Sequence, residues 1–343
     1  MYPVSEFTKN WRGAPILQDA HLRLECGRVF TISLASVEPS MNIGVSVPNI
    51  GPVATPEAVK TVAQRAEALG YHSLWTVERL LWPVNPRSPY PATPDGSLPE
   101  EYKYCLDPLD TLTFAAADTS TIKLGTSVLD IPYYNPVTLA RRLTTIDVLS
   151  KGRLRVGFGL GWSPDEMEAT GADMKVRGAR ADEFLQLLKT IWTNDPVEFH
   201  GKFFNVPKSY IGPKPVQKPH PPIFVAAFAP PALKRLATFA DGWNPTGIPI
   251  SGMVQMFDAI RQMAKDAGRD PSELRMIVRG NMFLTEKPIE KDRFIFTGST
   301  QQIHDDIGAC EQIGAEEVCL ELGFTPGGQS LDNWLKWLEE FRP

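Results

Sequence analysis

The sequence predicts an α/β chain folded as a closed (β/α)8 barrel, a TIM barrel, and three observations lead there. From residue 41 onward a short β-branched segment is followed by an amphipathic one, eight times over. The chain has 343 residues, a length that such barrels reach as a single unit. The first strand runs into Pro48-Asn49-Ile50-Gly51. An open dinucleotide-binding sheet would want a Gly-x-Gly-x-x-Gly turn there.

The elements follow in order. Ile43, Val45 and Val47 alternate as a strand does. Thr55 and Pro56 can cap and start a helix whose stripe is Val59, Val62, Ala63, Ala66 and Leu69, with Gly70 as its stop. Tyr71 to Glu78 is the second strand. Asp107-Pro108 opens the second helix, with Leu109, Leu112 and Ala116 inward, and 122–129 is the third strand. Asn135-Pro136 opens the third helix, which runs through Leu139, Leu143 and Ile146 to Gly152, and Arg153 to Phe158 is the fourth strand. A helix over 178–194 carries Phe184, Leu187, Leu188 and Ile191 on one face, and the fifth strand is Pro222 to Ala227. Pro230 to Ala240 is the fifth helix, and a strand near 242–244 follows. Ser251 to Ala267 is the sixth helix, ended by Gly268, and Leu274 to Leu284 is the seventh strand. The seventh helix, Ser299 to Ile313, has Ser299 and Gln302 at capping-box spacing. Glu317 to Leu322 is the eighth strand, and Ser330 to Phe341 closes the chain with Leu331, Trp334, Leu335 and Leu338 inward.

Two insertions break this rhythm, one after strand two and one before strand five. Residues 82–106 are rich in Pro and Tyr, and residues 195–221 carry Pro207, Pro213, Pro215 and Pro219. Loops of this length in a compact domain are usually lids or binding loops. The first follows a strand and so belongs to the catalytic face; the second reads as a binding loop, a flap or an oligomer contact. Residues 1–40 show no sustained period. They are expected to be an N-terminal extension outside the barrel, which then spans 41–343; an ordered segment packed on the barrel is the alternative.

Composition excludes several classes. Apolar residues make up 43% and charged residues 22%, the balance of a globular protein. Net charge is 35 minus 40, or −5, so nothing attracts nucleic acid or an anionic membrane overall. No apolar run approaches the roughly 20 residues needed to span a bilayer. Cys26, Cys105, Cys310 and Cys319 form no Cys-x-x-Cys pair and the five histidines lie apart. No metal site is expected, and reduced thiols in a cytoplasmic protein are.

Five segments carry a family signal. They are Gly70-Tyr71-His72-Ser73-Leu74-Trp75, Leu124-Gly125-Thr126-Ser127-Val128, Leu149-Ser150-Lys151-Gly152-Arg153, Gly157-Phe158-Gly159-Leu160-Gly161-Trp162 and Ala240-Asp241-Gly242-Trp243. In this order, over residues 41 to about 340, the chain resembles the luciferase-like flavin and deazaflavin oxidoreductases. Asp107-Pro108-Leu109 and Pro213-Lys214-Pro215-Val216-Gln217 look most like the branch of probable F420-dependent oxidoreductases.

The resemblance implies a two-electron redox enzyme acting on a small-molecule substrate, and often a homodimer. Ser127-Val128 falls where relatives hold a cis peptide behind the cofactor ring. Gly159, Leu160, Gly161 and Trp162 after strand four, and Ala226-Ala227 after strand five, fall at the cofactor. Glycines there let backbone approach a ring or phosphate closely, or simply serve a tight turn. The loop ahead of helix five is expected to offer free N–H groups to a phosphate. Two departures matter. Relatives often carry Asp-His at the end of strand two, where Glu78-Arg79 stands here, and some carry a Glu where Trp162 stands. Glu78 is therefore the expected proton donor or cofactor anchor. Arg79 is expected to pair with it or to bind an anionic cofactor group, and a purely structural Glu–Arg pair is the alternative. Asp165-Glu166 read as first-turn acids of a short helix, with a proton relay as the alternative, and Asp241-Gly242-Trp243 as barrel wall. The functional expectation is F420-dependent hydride transfer. The rivals are an FMN-dependent monooxygenase using reduced flavin and O2, and a cofactor-binding barrel without turnover.

Overall fold

Parallel pairing runs continuously around the chain in the computed structural model, which describes residues 41–93 and 95–343. The barrel strands are β1 (Asn42–Ser46), β2 (Ser73–Thr76), β3 (Lys123–Thr126), β4 (Leu154–Gly159), β5 (Ile223–Val225), β6 (Gly242–Trp243), β7 (Arg275–Asn281) and β8 (Glu317–Glu321). Each pairs with the next, and β8 returns to β1 with Val45 opposite Leu320, so the sheet closes. The outer ring is α1 (Pro56–Leu69), α2 (Pro108–Ala117), α3 (Pro136–Leu149), α4 (Arg177–Thr193), α5 (Pro230–Phe239), α6 (Ile250–Asp266), α7 (Thr300–Gln312) and α8 (Leu331–Glu340). The expectation for residues 1–40 lies outside the described residues. Among those described, no helix is long and apolar enough to cross a membrane.

Side chains alternate along each strand, which divides the core in two. Outward-facing Val45, Leu74, Leu124, Val156, Ile223, Trp243, Val278 and Leu320 pack under the helices. Inward-facing Trp75, Phe224, Ile277 and Cys319 form a separate cluster that plugs the barrel. Glycines make room for the two large rings. A Cβ on Gly125 would fall on the Trp75 ring, and one on Gly242 would come within 2.7 Å of the Phe224 ring. Below the plug, at the N-terminal end, Arg155 sits 2.8 Å from Glu317, which also accepts the Trp75 indole N–H at 2.8 Å.

Helix starts follow the sequence signals. Thr55, Asp107 and Asn135 each accept first-turn backbone N–H groups, and a proline follows each. Ser299 and Gln302 form the complete capping box. Such caps contribute on the order of 1 kcal/mol apiece.

The strands are shorter than predicted. β2 ends at Thr76 rather than Glu78. β3 ends at Thr126; the Ser127–Val128 peptide that follows is cis, as the resemblance implied, and Leu129–Asp130 then resumes along β4. β7 ends at Asn281, and Phe283–Leu284 leaves the barrel to pair with Thr297–Gly298. The insertion before β5 holds a two-stranded antiparallel hairpin, Val197–His200 with Asn205–Ser209. Its signal in the sequence was Gly201-Lys202 between two short runs with aromatic and β-branched residues.

Two alanine substitutions separate space from backbone freedom. Gly125→Ala has no room beside Trp75 and should lower stability by about 1–3 kcal/mol, the usual cost of overpacking. Gly308→Ala, within α7 and with nothing within 4 Å of its Cβ, should raise it by about 0.5–1 kcal/mol. Urea unfolding of both variants reads the opposite signs.

Candidate active site

The residue two positions beyond each plug or glycine position, toward the C-terminal end, faces the barrel axis again. This places Ser46, Ser127, Ala226, Asn244, Arg279 and Glu321 in one layer above the plug. The layer is polar and internally bonded. Ser127 Oγ donates to Asn244 Oδ1 at 2.6 Å, and Asn244 Nδ2 donates to the Ile277 carbonyl at 2.7 Å. Arg279 donates to the Ser127 carbonyl and, through Nε, to Asn281 Oδ1 at 2.8 Å. Its other Nη lies 3.7 Å from Glu321. This is the floor of the C-terminal mouth, the face on which barrel proteins carry their sites. Arg279, Asn244 and Glu321 were missed from sequence, because only the closed barrel shows which residues of a strand face its axis.

The rim is built from the loops after β2, β3 and β4. Glu78 is buried; its Oε2 accepts the Asp130 N–H at 2.7 Å and its Oε1 meets the Tyr134 hydroxyl. Arg79 does not pair with Glu78. Its Nη1 donates to Glu166 Oε2 at 2.6 Å, and its guanidinium lies 4.8 Å from the Tyr102 ring centre and 5.3 Å from that of Trp162. Glu166 also accepts the Leu80 N–H at 2.8 Å and the Tyr133 hydroxyl at 3.1 Å. Glu166 is a first-turn acid, as expected, and it does more than that. Ser163 caps the short helix Pro164–Ala169, and Glu166 turns inward to hold Arg79 and the β2 loop.

The glycine run is explained by protein contacts. A Cβ on Gly159 would lie 2.5 Å from Asp130 Oδ1 and 2.6 Å from the Val128 side chain. Gly161, at φ +66°, donates its N–H to Asp130 Oδ1 at 2.8 Å. At both positions a side chain would meet the protein itself, at Gly159 Asp130 and Val128 and at Gly161 Tyr133 and Met167. Leu160 and Trp162 are half-buried beside them. After β5, Ala226 donates its N–H to the Phe158 carbonyl at 2.9 Å, and the buried Ala227 carbonyl accepts the Trp243 indole at 3.0 Å. Pro230 and Pro231 open α5. They remove two of the N–H groups that were expected to meet a phosphate there. Asp241 is structural, as expected: its Oδ2 accepts the Ile223 N–H at 2.7 Å.

Burial sets the electrostatics. It pushes the Glu78 carboxyl up to about 8, with the Asp130 charge adding to the effect. Asp130 is pushed up to about 6, also by burial, against the pull of Arg79. At neutral pH Glu78 therefore holds a proton beside an ionised Asp130. The tyrosines bonded to Glu166 and Glu78, Tyr133 and Tyr134, are both raised, first by burial and then by their acidic neighbours.

A closed parallel barrel with a polar floor and a rim of buried carboxyls at its C-terminal mouth defines the class of barrel that takes small molecules at that end. Residues 36–293 match the family model for luciferase-like monooxygenase, and the chain belongs to that family. An uncharacterized protein of Mycobacterium tuberculosis is 36% identical over 212 residues, covering 61% of this chain and 74% of the relative. The FMNH(2)-dependent dimethylsulfone monooxygenase of Pseudomonas putida is 33% identical over 155 residues, 44% of this chain and 42% of its own. Among solved structures, the monooxygenase RslO1 from Streptomyces bottropensis superposes with a TM-score of 0.72 at 23% identity, covering 88% of this chain and 98% of that one. An F420-dependent secondary alcohol dehydrogenase in complex with an F420-acetone adduct gives 0.70 at 17% identity, with coverage of 88% and 98%. At these identities the structural likeness establishes the barrel fold.

Glu78 generates a prediction about pH. Its carboxyl moves from the ordinary 4.5 to about 8 in the folded chain, so the folded state holds the proton more tightly than the unfolded state. That contribution is complete below pH 4.5 and declines as pH rises through 8. Glu78→Gln keeps the shape and cannot ionise. Its urea midpoint should be flatter than that of the wild type between pH 5 and pH 9. Near pH 9 the wild type should lose a few kcal/mol more than the variant, at about 1.4 kcal/mol per pKa unit. Parallel curves would remove Glu78 as the titrating group.

Proposed function

We propose that the protein is an F420-dependent oxidoreductase that transfers hydride between the deazaflavin and a small organic substrate. The observation that carries this reading is the bonded polar floor of Ser127, Asn244, Arg279 and Glu321 above an aromatic plug. A flat ring with alternating carbonyl and N–H edges needs donors and acceptors close together in a dry setting, and the floor offers both. Two buried polar atoms nearby have no partner in the protein, Arg79 Nε beside Trp162 and Thr246 Oγ1 after β6. Such atoms suit a site completed by a bound group.

Arg279, Asn244 and Ser127 would hold the ring edge, Ala226 and Ala227 would leave room beside it, and Leu160 and Trp162 would flank it. When bound, the deazaflavin supplies a two-electron hydride carrier. The chain's own part is to orient that group, keep water out and hold a proton on Glu78 next to Asp130. The motifs shared with the F420-dependent branch favour this cofactor. The Pseudomonas putida relative favours a second reading, an FMN-dependent monooxygenase on the same floor. We place the protein in the cytoplasm as a homodimer, a reading supported by Phe114 on α2 and Val148 and Leu149 on α3, apolar and exposed at 43%, 37% and 62%.

Side-by-side titration of the purified chain with F420 and with FMN, read by ligand fluorescence, tests the proposal. F420 should bind at least tenfold more tightly, a difference of about 1.4 kcal/mol. Tighter FMN binding together with O2 uptake that depends on reduced flavin would move the protein to the second reading.

A further inference from the structure

The walls of the mouth are aromatic. The loop between β2 and α2 supplies Tyr90 and Tyr102, the β4 end supplies Trp162 and the β8 end supplies Phe324. Ring centres lie 6.1 Å apart for Tyr90 and Tyr102, 5.5 Å for Tyr90 and Trp162 and 5.3 Å for Tyr102 and Phe324. Tyr102 is buried and backs the set; Tyr90, Trp162 and Phe324 are half-buried and keep free surface. Their spacing is fixed from outside. Arg87, on the same loop as Tyr90, bonds Asp165 at 2.9 Å and Glu168 at 2.7 Å on the short helix just after Trp162.

The charges among these rings are already matched. Arg79 is held by Glu166 at 2.6 Å, and Arg279 lies 3.7 Å from Glu321. Glu78 and Asp130 add two carboxyls that, among the described residues, make no salt bridge. An anionic substrate would find both guanidiniums already beside carboxylates and would face the ionised Asp130. A cationic substrate fares no better, because the Arg79 guanidinium already occupies the cation position on Tyr102 and Trp162. A second cation would meet a like charge. The free apolar surface that Tyr90, Trp162 and Phe324 keep at the mouth remains as the source of binding energy.

We infer that the mouth takes an uncharged, flat, largely apolar organic substrate walled by Tyr90, Trp162 and Phe324, and discriminates against both anions and cations of the same shape. This rests on the proposed redox reading for the identity of the site, and it names that site's substrate class.

Calorimetry at pH 7 on the full chain tests it with three bicyclic probes of similar size: 2-naphthol, 2-naphthoate and N-methylquinolinium. Each is titrated with and without the cofactor that the fluorescence titration selects. 2-Naphthol should bind at least tenfold more tightly than either ion. Trp162→Ala and Tyr90→Ala should each weaken 2-naphthol at least tenfold while the circular dichroism spectrum stays that of the wild type. If one variant fails to fold, the other carries the test. Equal or tighter binding of either ion, no binding of 2-naphthol, or wild-type affinity in a folded variant each overturns the inference. The two proposals fail separately. Loss of all cofactor binding with intact probe selectivity sinks the redox reading, whereas normal cofactor binding without selectivity sinks only the substrate class.

Discussion

The packing of Trp75 inside the barrel fixes the height of everything above it. The ring is buried, its indole N–H is bound to Glu317, and it lies against the bare α-carbon of Gly125. With Phe224, Ile277 and Cys319 it closes the barrel to water. The next inward layer, Ser127, Asn244, Arg279 and Glu321, therefore stands on a dry apolar surface rather than over a channel. Polar groups in such a place gain strength from the low dielectric, and each needs a partner. The observed bonds among them follow from that demand.

The rim obeys the same constraint by another route. Three carboxyls tie the loops of the rim to one another. Glu78 binds the backbone of Asp130, Asp130 binds the backbone of Gly161, and Glu166 binds Arg79 and the backbone of Leu80. A buried carboxylate that accepts several N–H groups is costly to strip of any one of them. Together they hold the ends of β2, β3 and β4 in one arrangement, and only Glu166 bonds a guanidinium directly. Burial pushes Glu78 up, and the acids beside it, Asp130 first, push it the same way, so Glu78 is driven to keep a proton.

Much of the fold was legible because it is periodic. The stripe of Val59, Val62, Ala63 and Ala66 buries as drawn, and Thr55-Pro56, Asp107-Pro108 and Asn135-Pro136 start helices where their chemistry says. The hairpin at 197–209 was less legible, since its strands are four and five residues long and carry prolines nearby. The site was legible in its place and not in its pairings. Glu78 and Arg79 are adjacent in sequence, which suggested a pair. Adjacent residues at a strand end point to opposite sides, so each finds a different partner: Asp130 and Tyr134 for one, Glu166 for the other. Glu166 lies 87 residues from Arg79, and no local pattern could join them. The protein contacts of the glycines at the end of β4 were hidden for a related reason. The missing side chain of Gly159 faces Val128 and Asp130 and that of Gly161 faces Tyr133 and Met167, residues brought there by the segment 128–133 and the short helix after β4.

The exchange of Asp-His for Glu78-Arg79 bears on what this mouth can do. A histidine at the rim would titrate near neutrality and could gain or lose a proton in turn. Arginine cannot, so the acid–base capacity of this corner rests on the carboxyls. Glu78 is the one kept neutral, yet both its oxygens are engaged, one by the Asp130 N–H and one by Tyr134. A proton leaving Glu78 would make two adjacent carboxylates in a buried place, which is favourable only while Arg79 stays charged nearby. Arg79 lowers the cost of ionising Asp130, and Glu166 keeps Arg79 in position. The corner thus holds its proton on Glu78 beside the Asp130 carboxylate, with Arg79, kept in position by Glu166, as the nearby counter-charge.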